Sequence, residues 1–326
     1  MKSRLFVNCL TKTGRINGLA IDHGRSLDAA IQEARDGLAR EDDALLFKQT
    51  VVSVLGPSAS LTLLDPESGP VISRNLAPQH SLVLGYEQDV YRKDAASLVP
   101  LMPTDWSVRR LAAIGARAIK LFLYYDPDAP GMLDQQRKVV VERVGAECAG
   151  VGLPFLLEPV TPSPDAKKRP QDILRAVQEF SQPHYHVDVL KIELPIRARR
   201  VGLDYSLAQA QEVLQQIAAT TQLPVVYLSG GVPFDELEEG LEFAADLAAR
   251  FNGVLCGRSL WSGGIPVFAR QGAAGLRDWL AGEALPNLQR LHRLVEARAS
   301  AVPLDGETGH GPAFAALAEK ASRIEP

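Results

Sequence analysis

Pro154-Phe155-Leu156-Leu157-Glu158, then Gln171–Phe180, then Val187-Asp188-Val189-Leu190-Lys191-Ile192-Glu193-Leu194: these three pieces decide the fold. The outer two are short apolar runs of strand length. The middle one carries apolar residues at helical spacing. A strand, a helix and a second strand in this order pair in parallel through a right-handed crossover. The unit repeats outward in both directions. Upstream runs lie at Gly18–Asp22, Ser60–Asp65, Ser81–Tyr86 and Ala118–Tyr124, and downstream runs at Pro224–Ser229 and Gly253–Gly257. Helical spacing recurs over Trp106–Ile114, Met132–Ala149, Ser206–Ala219 and Phe234–Ala249. The connection from Pro66 to Gln79 holds proline and glycine and shows no helical pattern.

Eight strand runs within 326 residues predict an α/β chain closed into a (β/α)8 TIM barrel rather than an open sheet. The runs are nearly all apolar, as strands buried on both faces require. No shift in composition marks a boundary, so residues 1–326 read as one domain with a flexible tail, 302–326, that contains a short helical piece, Ala313–Ser322. Thr161–Pro170 is polar and proline-rich and follows a strand end; a lid and a plain surface loop are both open readings.

Hydrophobic residues make up 46% and charged residues 23%, enough for a large core in a soluble chain. A net charge of −4 gives no footprint for nucleic acid and no polybasic membrane patch. No apolar run reaches the roughly 18 residues of a membrane-spanning helix, and the basic start Met1-Lys2-Ser3-Arg4 lacks the apolar region of a signal peptide. Cys9, Cys148 and Cys256 are odd in number and form no CxxC pair, which argues against a disulfide framework and for a reducing cytoplasm.

In a barrel the chemistry sits at the C-terminal ends of the strands. Lys191 lies inside one strand run, and lysine is rarely buried without a reason. One reason is a Schiff base, since a desolvated amine beside other cations becomes a nucleophile. The other is an ion pair with Glu193, which strand alternation places on the same face. Lys120 repeats the pattern two strands earlier, either as a second interior cation or as a side chain reaching the rim. Glu158 lies between the two in sequence and suits a general acid/base or a counter-ion. Asp22 and Asp65 end the first two runs, where they would hold substrate hydroxyls or lysines, or cap the next helix. His23 could bind an anion or shuttle a proton; no other histidine ends a strand, so no metal site is expected.

The seventh run ends in Leu228-Ser229-Gly230-Gly231-Val232 and the eighth in Cys256-Gly257-Arg258-Ser259. Barrels frequently bind phosphate in the loops after strands seven and eight. Glycines let backbone N–H groups approach the oxygens, and an arginine adds a charged fork.

Leu223–Gly264 resembles the C-terminal part of the tagatose-1,6-bisphosphate aldolase family. These are class I aldolases, which use a lysine Schiff base and no metal, and they include relatives acting on sulfofructose phosphate. The resemblance runs from about Gly18 to Ser300, through Leu63–Gly69, Ala118–Asp128, Pro154–Val160 and Val187–Pro195. It implies that Lys191 is the Schiff-base lysine and Glu158 the acid/base. It implies that Lys120 and Asp22 surround the substrate carbonyl and hydroxyls. Ser229, Gly230, Gly257 and Arg258 would take the ketone-side phosphate, and Arg25 the far anionic group. The implied partner is a phosphosugar, with no cofactor, in a dimer or tetramer.

Asp22-His23-Gly24-Arg25 departs from the Asp-Gln-Arg usual in the lactose-pathway members, and the loop after Glu158 is shorter than theirs. Both departures fall where the aldehyde half belongs, which leaves tagatose, fructose and sulfofructose substrates as candidates. An isomerase using the same phosphate loops and a non-catalytic phosphosugar sensor are the competing readings.

Overall fold

The computed structural model describes residues 6–77, 80–88, 99–162 and 165–303. Eight parallel strands close in chain order into a barrel. They are β1 (Ile16–Ile21), β2 (Leu61–Leu64), β3 (Ser81–Gly85), β4 (Ala118–Tyr124), β5 (Phe155–Val160), β6 (Val189–Glu193), β7 (Val225–Leu228) and β8 (Gly253–Cys256). Each expected strand is present, with ends moved by at most two residues. One shift matters: Glu158 does not end β5, which runs on through Pro159 to Val160.

Helices cover the outside: α1 (Arg25–Ala34), α2 (Asp43–Leu55), α3 (Gly69–Ser73), α4 (Val108–Ala113), α5 (Gly131–Val151), α6 (Arg169–Phe180), α7 (Leu207–Thr220), α8 (Phe234–Asp246), α9 (Arg258–Trp261), α10 (Ile265–Trp279) and α11 (Leu285–Arg298). The connection read as helix-free, Pro66 to Gln79, contains α3; five residues opened by a glycine and a proline are too few to show a period. α2 was invisible to periodicity for a different reason. It lies between the barrel and α10, with Phe47 edge-on to Phe268 at 5.5 Å, and buries Asp43, Lys48 and Thr50 along with its apolar residues, which blurs the helical period. Among the described residues no helix is long and apolar enough to cross a membrane. The tail piece Ala313–Ser322 lies outside the described residues.

Alternation along the strands sorts their side chains. Ile16, Ala20, Leu61, Leu63, Val83, Ala118, Leu156, Val189, Val226 and Leu255 form one apolar cluster, the barrel interior. Leu19, Ile21, Leu64, Ile119, Leu121, Leu157, Leu190 and Ile192 belong to the larger core between barrel and helices. The period of two then dictates the next interior layer. Ala20 is followed by Asp22, Ala118 by Lys120, Leu156 by Glu158 and Val189 by Lys191. An apolar floor thus carries a charged layer one step nearer the C-terminal mouth.

Candidate active site

Four of the expected residues meet in that layer. Lys191 Nζ lies 2.9 Å from Glu158 Oε2. The same oxygen lies 3.2 Å from Lys120 Nζ, which is 2.6 Å from Asp22 Oδ2. Lys120 and Lys191 are 1% and 3% exposed, so Lys120 does not reach the rim: its strand position points it inward and three carboxylates hold it there. The alternative partner for Lys191 is also corrected. Glu193 pairs instead with Arg169 at 3.1 Å, because it stands at the mouth where the β5–α6 connection passes, while Glu158 faces Lys191 from the adjacent strand.

The third carboxylate on Lys120 is Glu87, which was not singled out from the sequence. It follows Val83 and Gly85 in the β3 alternation. Its Oε2 accepts the N–H groups of Tyr86 at 3.2 Å and Phe122 at 3.1 Å. An acid directly after a strand was the available signal, the same one that marked Asp22.

The electrostatics differ from acid to acid. Burial pushes the Glu87 carboxyl above its ordinary range; Lys120 opposes this incompletely, and Asp22 adds to it. Burial acts upward on Asp22 too, but Lys120 and Lys191 outweigh it and hold that carboxyl below the usual range. One carboxyl of the layer is thereby inclined to carry a proton and another to stay ionised.

His23 is buried beside this layer, with Nδ1 3.8 Å from Asp22 Oδ1 and its ring edge-on to Trp261 at 5.1 Å. Burial lowers its pKa to about 4, with Arg258, Lys191 and Lys120 acting the same way and Asp22 opposing. The imidazole is therefore neutral at physiological pH. Trp261 is fixed by donating Nε1–H to the Ala20 carbonyl at 2.9 Å.

The two glycine loops come together. Gly230 and Gly231 have φ of 60° and 77°, the left-handed region that favours glycine. A Cβ on Gly231 would stand 3.3 Å from the Arg258 guanidinium carbon, so the two loops touch at this point. A Cβ on Gly257 would stand 2.7 Å from the Ala20 carbonyl oxygen, which joins the eighth-strand loop to β1. Ser229 is buried and bonds the Cys256 side chain, whose thiol burial pushes up to about 12.

Two expected residues stand apart. Asp65 is occupied by structural partners. Its carboxylate pairs with the buried Lys48 of α2 and the Ser68 hydroxyl, and accepts the N–H groups of Glu67 at 3.1 Å and Ser68 at 2.8 Å. It caps the turn into α3 and ties α2 to the end of β2. Arg25 is exposed in the first turn of α1. Among the described residues no group of three or more His, Cys, Asp and Glu side chains could hold a metal ion.

The chain matches the family model described as DeoC/LacD family aldolase over residues 17–263. It is 36% identical over 312 residues to tagatose 1,6-diphosphate aldolase 1 of Streptococcus pyogenes, covering 91% of this chain and 96% of that protein. It is 33% identical over 304 residues to tagatose 1,6-diphosphate aldolase of Lactococcus lactis subsp. lactis, covering 89% and 93%. In fold it is similar to a solved fructose-bisphosphate aldolase of Plasmodium falciparum, with a TM-score of 0.68 at 13% identity, covering 91% and 95% of the two chains. A closed barrel whose strand ends carry a buried lysine–carboxylate layer, with family sequence matched across nearly all of it, belongs to the DeoC/LacD family of aldolases.

Proposed function

We propose that this enzyme is a class I aldolase that cleaves a ketose 1-phosphate reversibly, with tagatose 1,6-bisphosphate as leading substrate. The relatives named for tagatose 1,6-diphosphate support the substrate. The observation that carries the mechanism is Lys191 at 2.9 Å from Glu158, with both side chains buried.

Lys191 attacks C2 of the ketose. Glu158 exchanges protons with the nitrogen and the departing C2 hydroxyl, so that water leaves and an iminium forms. Glu158 then takes the C4 hydroxyl proton, the C3–C4 bond breaks, and the electron pair moves into the iminium to give an enamine. Glyceraldehyde 3-phosphate departs. Protonation at C3 and hydrolysis release dihydroxyacetone phosphate and return the free lysine. In this reading Lys120 holds Glu158 and Asp22 in place and faces the hydroxyls, and Asp22 stays ionised. The loop around Ser229, Gly230 and Gly231 takes the ketone-side phosphate with Gly257 and Arg258. Asp65 acts at a distance by holding the β2 end. The same reading places the protein in a reducing cytoplasm as a homo-oligomer; the three cysteines are buried and form no disulfide among the described residues.

A second reading concerns the aldehyde half alone. His23, neutral and wedged between Asp22 and Trp261, stands at the position where the sequence departs from the lactose-pathway pattern. It favours testing fructose 1,6-bisphosphate and 6-deoxy-6-sulfofructose 1-phosphate beside the tagatose ester. The decisive experiment is incubation with dihydroxyacetone phosphate, borohydride reduction and peptide mapping by mass spectrometry. A reduced adduct on Lys191, absent from Lys191→Met, is expected. A protein that binds the ketone phosphate and gives no adduct belongs to the isomerase or sensor class instead.

A further inference from the structure

Building on the Schiff-base reading of Lys191, we infer that Glu193 is a positioning residue that sets the separation of Lys191 and Glu158 across a seam the sheet itself leaves open. The pairing of strands around the barrel carries the argument. β4 and β5 stay in register through Phe122↔Glu158 to Tyr124↔Val160. β6 and β7 stay in register through Lys191↔Val226 to Glu193↔Leu228. Between β5 and β6 the paired positions are Leu156↔Val189 and Leu157↔Leu190, and they end there. The next pair would be Glu158 and Lys191. Each of these residues is therefore held by its outer neighbour strand, and not by the other's strand.

Beyond the seam one side chain joins the two strand ends. Glu193 Oε2 accepts from both the backbone N–H of Thr161 at 3.0 Å and its hydroxyl at 3.1 Å. Its Oε1 accepts from Arg169 Nη1 at 3.1 Å. Thr161 is the residue after β5 and Arg169 the first of α6, so one carboxylate on β6 grips both ends of the β5–α6 connection. Thr161 is 2% exposed, which leaves its N–H no route to bulk water if Glu193 lets go. Glu87 makes the matching connection two seams away, taking the Phe122 N–H of β4 beyond the last β3–β4 pair, Gly85↔Lys120. There the carboxylate also touches the interior lysine; Glu193 acts through Thr161, Arg169 and the strand.

Thr161 and Arg169 are thus both tied to the end of β6. Lys168 adds a pair to Asp128 at 2.6 Å, from the loop after β4. The same Glu193 lines a cleft with Arg169, Ser229 and Gly230, which brings the clasp up to the proposed phosphate loop.

The test uses Glu193→Ala, Glu193→Gln, Thr161→Val and Arg169→Met in the full chain. Crystal structures of the variants are expected to show Lys191 Nζ and Glu158 Oε2 drawn apart beyond hydrogen-bond reach, about 3.5 Å or more. The expected kinetic effect is a fall in kcat and in the rate of borohydride trapping on Lys191 of about 10- to 100-fold for Glu193→Ala, with KM changed much less. Glu193→Gln, which keeps an acceptor for Thr161, is expected to recover part of the loss. An unchanged Lys191–Glu158 separation in any folded variant lacking the clasp overturns the inference, whatever the enzyme turns over. A widened separation with trapping and kcat within twofold of the parent overturns it as well. Failure of the parent protein to form any adduct is a different result and would instead remove the Schiff-base reading. Should Glu193→Ala fail to fold, Thr161→Val and Arg169→Met provide the same two readouts.

Discussion

Glu158 Oε2 stands 2.9 Å from Lys191 Nζ and 3.2 Å from Lys120 Nζ, so one oxygen faces both interior lysines. A carboxylate so placed can take a proton from the nitrogen that attacks and return one to the hydroxyl that leaves as water. Glu158→Gln keeps the size and loses the base. The expected result is a kcat lower by about 10²–10⁴-fold, the usual worth of a positioned acid/base. The adduct on Lys191 should still form with dihydroxyacetone phosphate, more slowly. Steady-state kinetics and borohydride trapping on the same preparation decide it.

Lys120 neutralises a crowded site. Asp22, Glu87 and Glu158 all pair with it, and removing it strands carboxylates away from water. Lys120→Met is expected to cost about 3–5 kcal/mol of stability, the usual penalty for breaking a buried pair on one side. The double variant Lys120→Met/Glu87→Gln should recover part of this, because Glu87 already leans toward its protonated form. Denaturant melts of the four proteins in the cycle measure the coupling. Strictly additive losses would mean that the two groups do not share a charge.

Much of this was legible from spacing alone, because a closed barrel forces a period of two on every strand. Lys191, Lys120 and Glu158 stood out as polar residues on apolar runs, and the closed barrel turned that parity into a meeting point. Glu87 was missed although it obeys the same parity; it lies past the end of a short run, and its relation to Lys120 is a fact of strand adjacency. Lys48 was missed because α2 buries polar residues among its apolar ones and gave no clear helical period, so nothing in the sequence offered Asp65 a partner. Asp65 consequently looked like Asp22. Only their different neighbours, a helix lysine for one and the barrel lysine for the other, separate a structural cap from a site acid. The pairing of Lys191 with Glu158 rather than Glu193 likewise depends on which strand is next door.

Gly231 and Arg258 meet across the two loops, and a methyl group on Gly231 would press the guanidinium while straining a φ of 77°. Arg258→Ala should weaken dihydroxyacetone phosphate by about 10- to 100-fold, the equivalent of roughly 1.5–3 kcal/mol for hydrogen bonds to a charged group. Gly231→Ala should weaken it to a smaller degree by displacing the same side chain. Calorimetric titration into Lys191→Met, where no covalent step intervenes, isolates the binding term. Equal affinity in all three proteins would place the phosphate elsewhere.

His292 on α11 supplies a pH dependence that is separate from the active site. Burial lowers its pKa to about 4, Glu296 opposing, and among the described residues its Nε2 has no hydrogen-bond partner. In the unfolded chain the ring takes up a proton near its ordinary value of 6.5. Above that pH both states are neutral and the group contributes nothing to pH dependence. Between 6.5 and 4 the unfolded state alone gains a proton, so stability falls as the solution is acidified; below 4 the loss is complete. The shift corresponds to roughly 3 kcal/mol. His292→Leu removes this titration and should lose less stability by about that amount between pH 7 and pH 4. Subtracting its denaturation profile from the parent's cancels the other groups, including Glu87 and Glu193, whose raised carboxyls act in the opposite direction as pH falls. Activity at pH 7 should be unchanged, since α11 lies outside the lysine–carboxylate layer. Parallel stability profiles for the two proteins would show that the ring already titrates near 6.5 in the folded state.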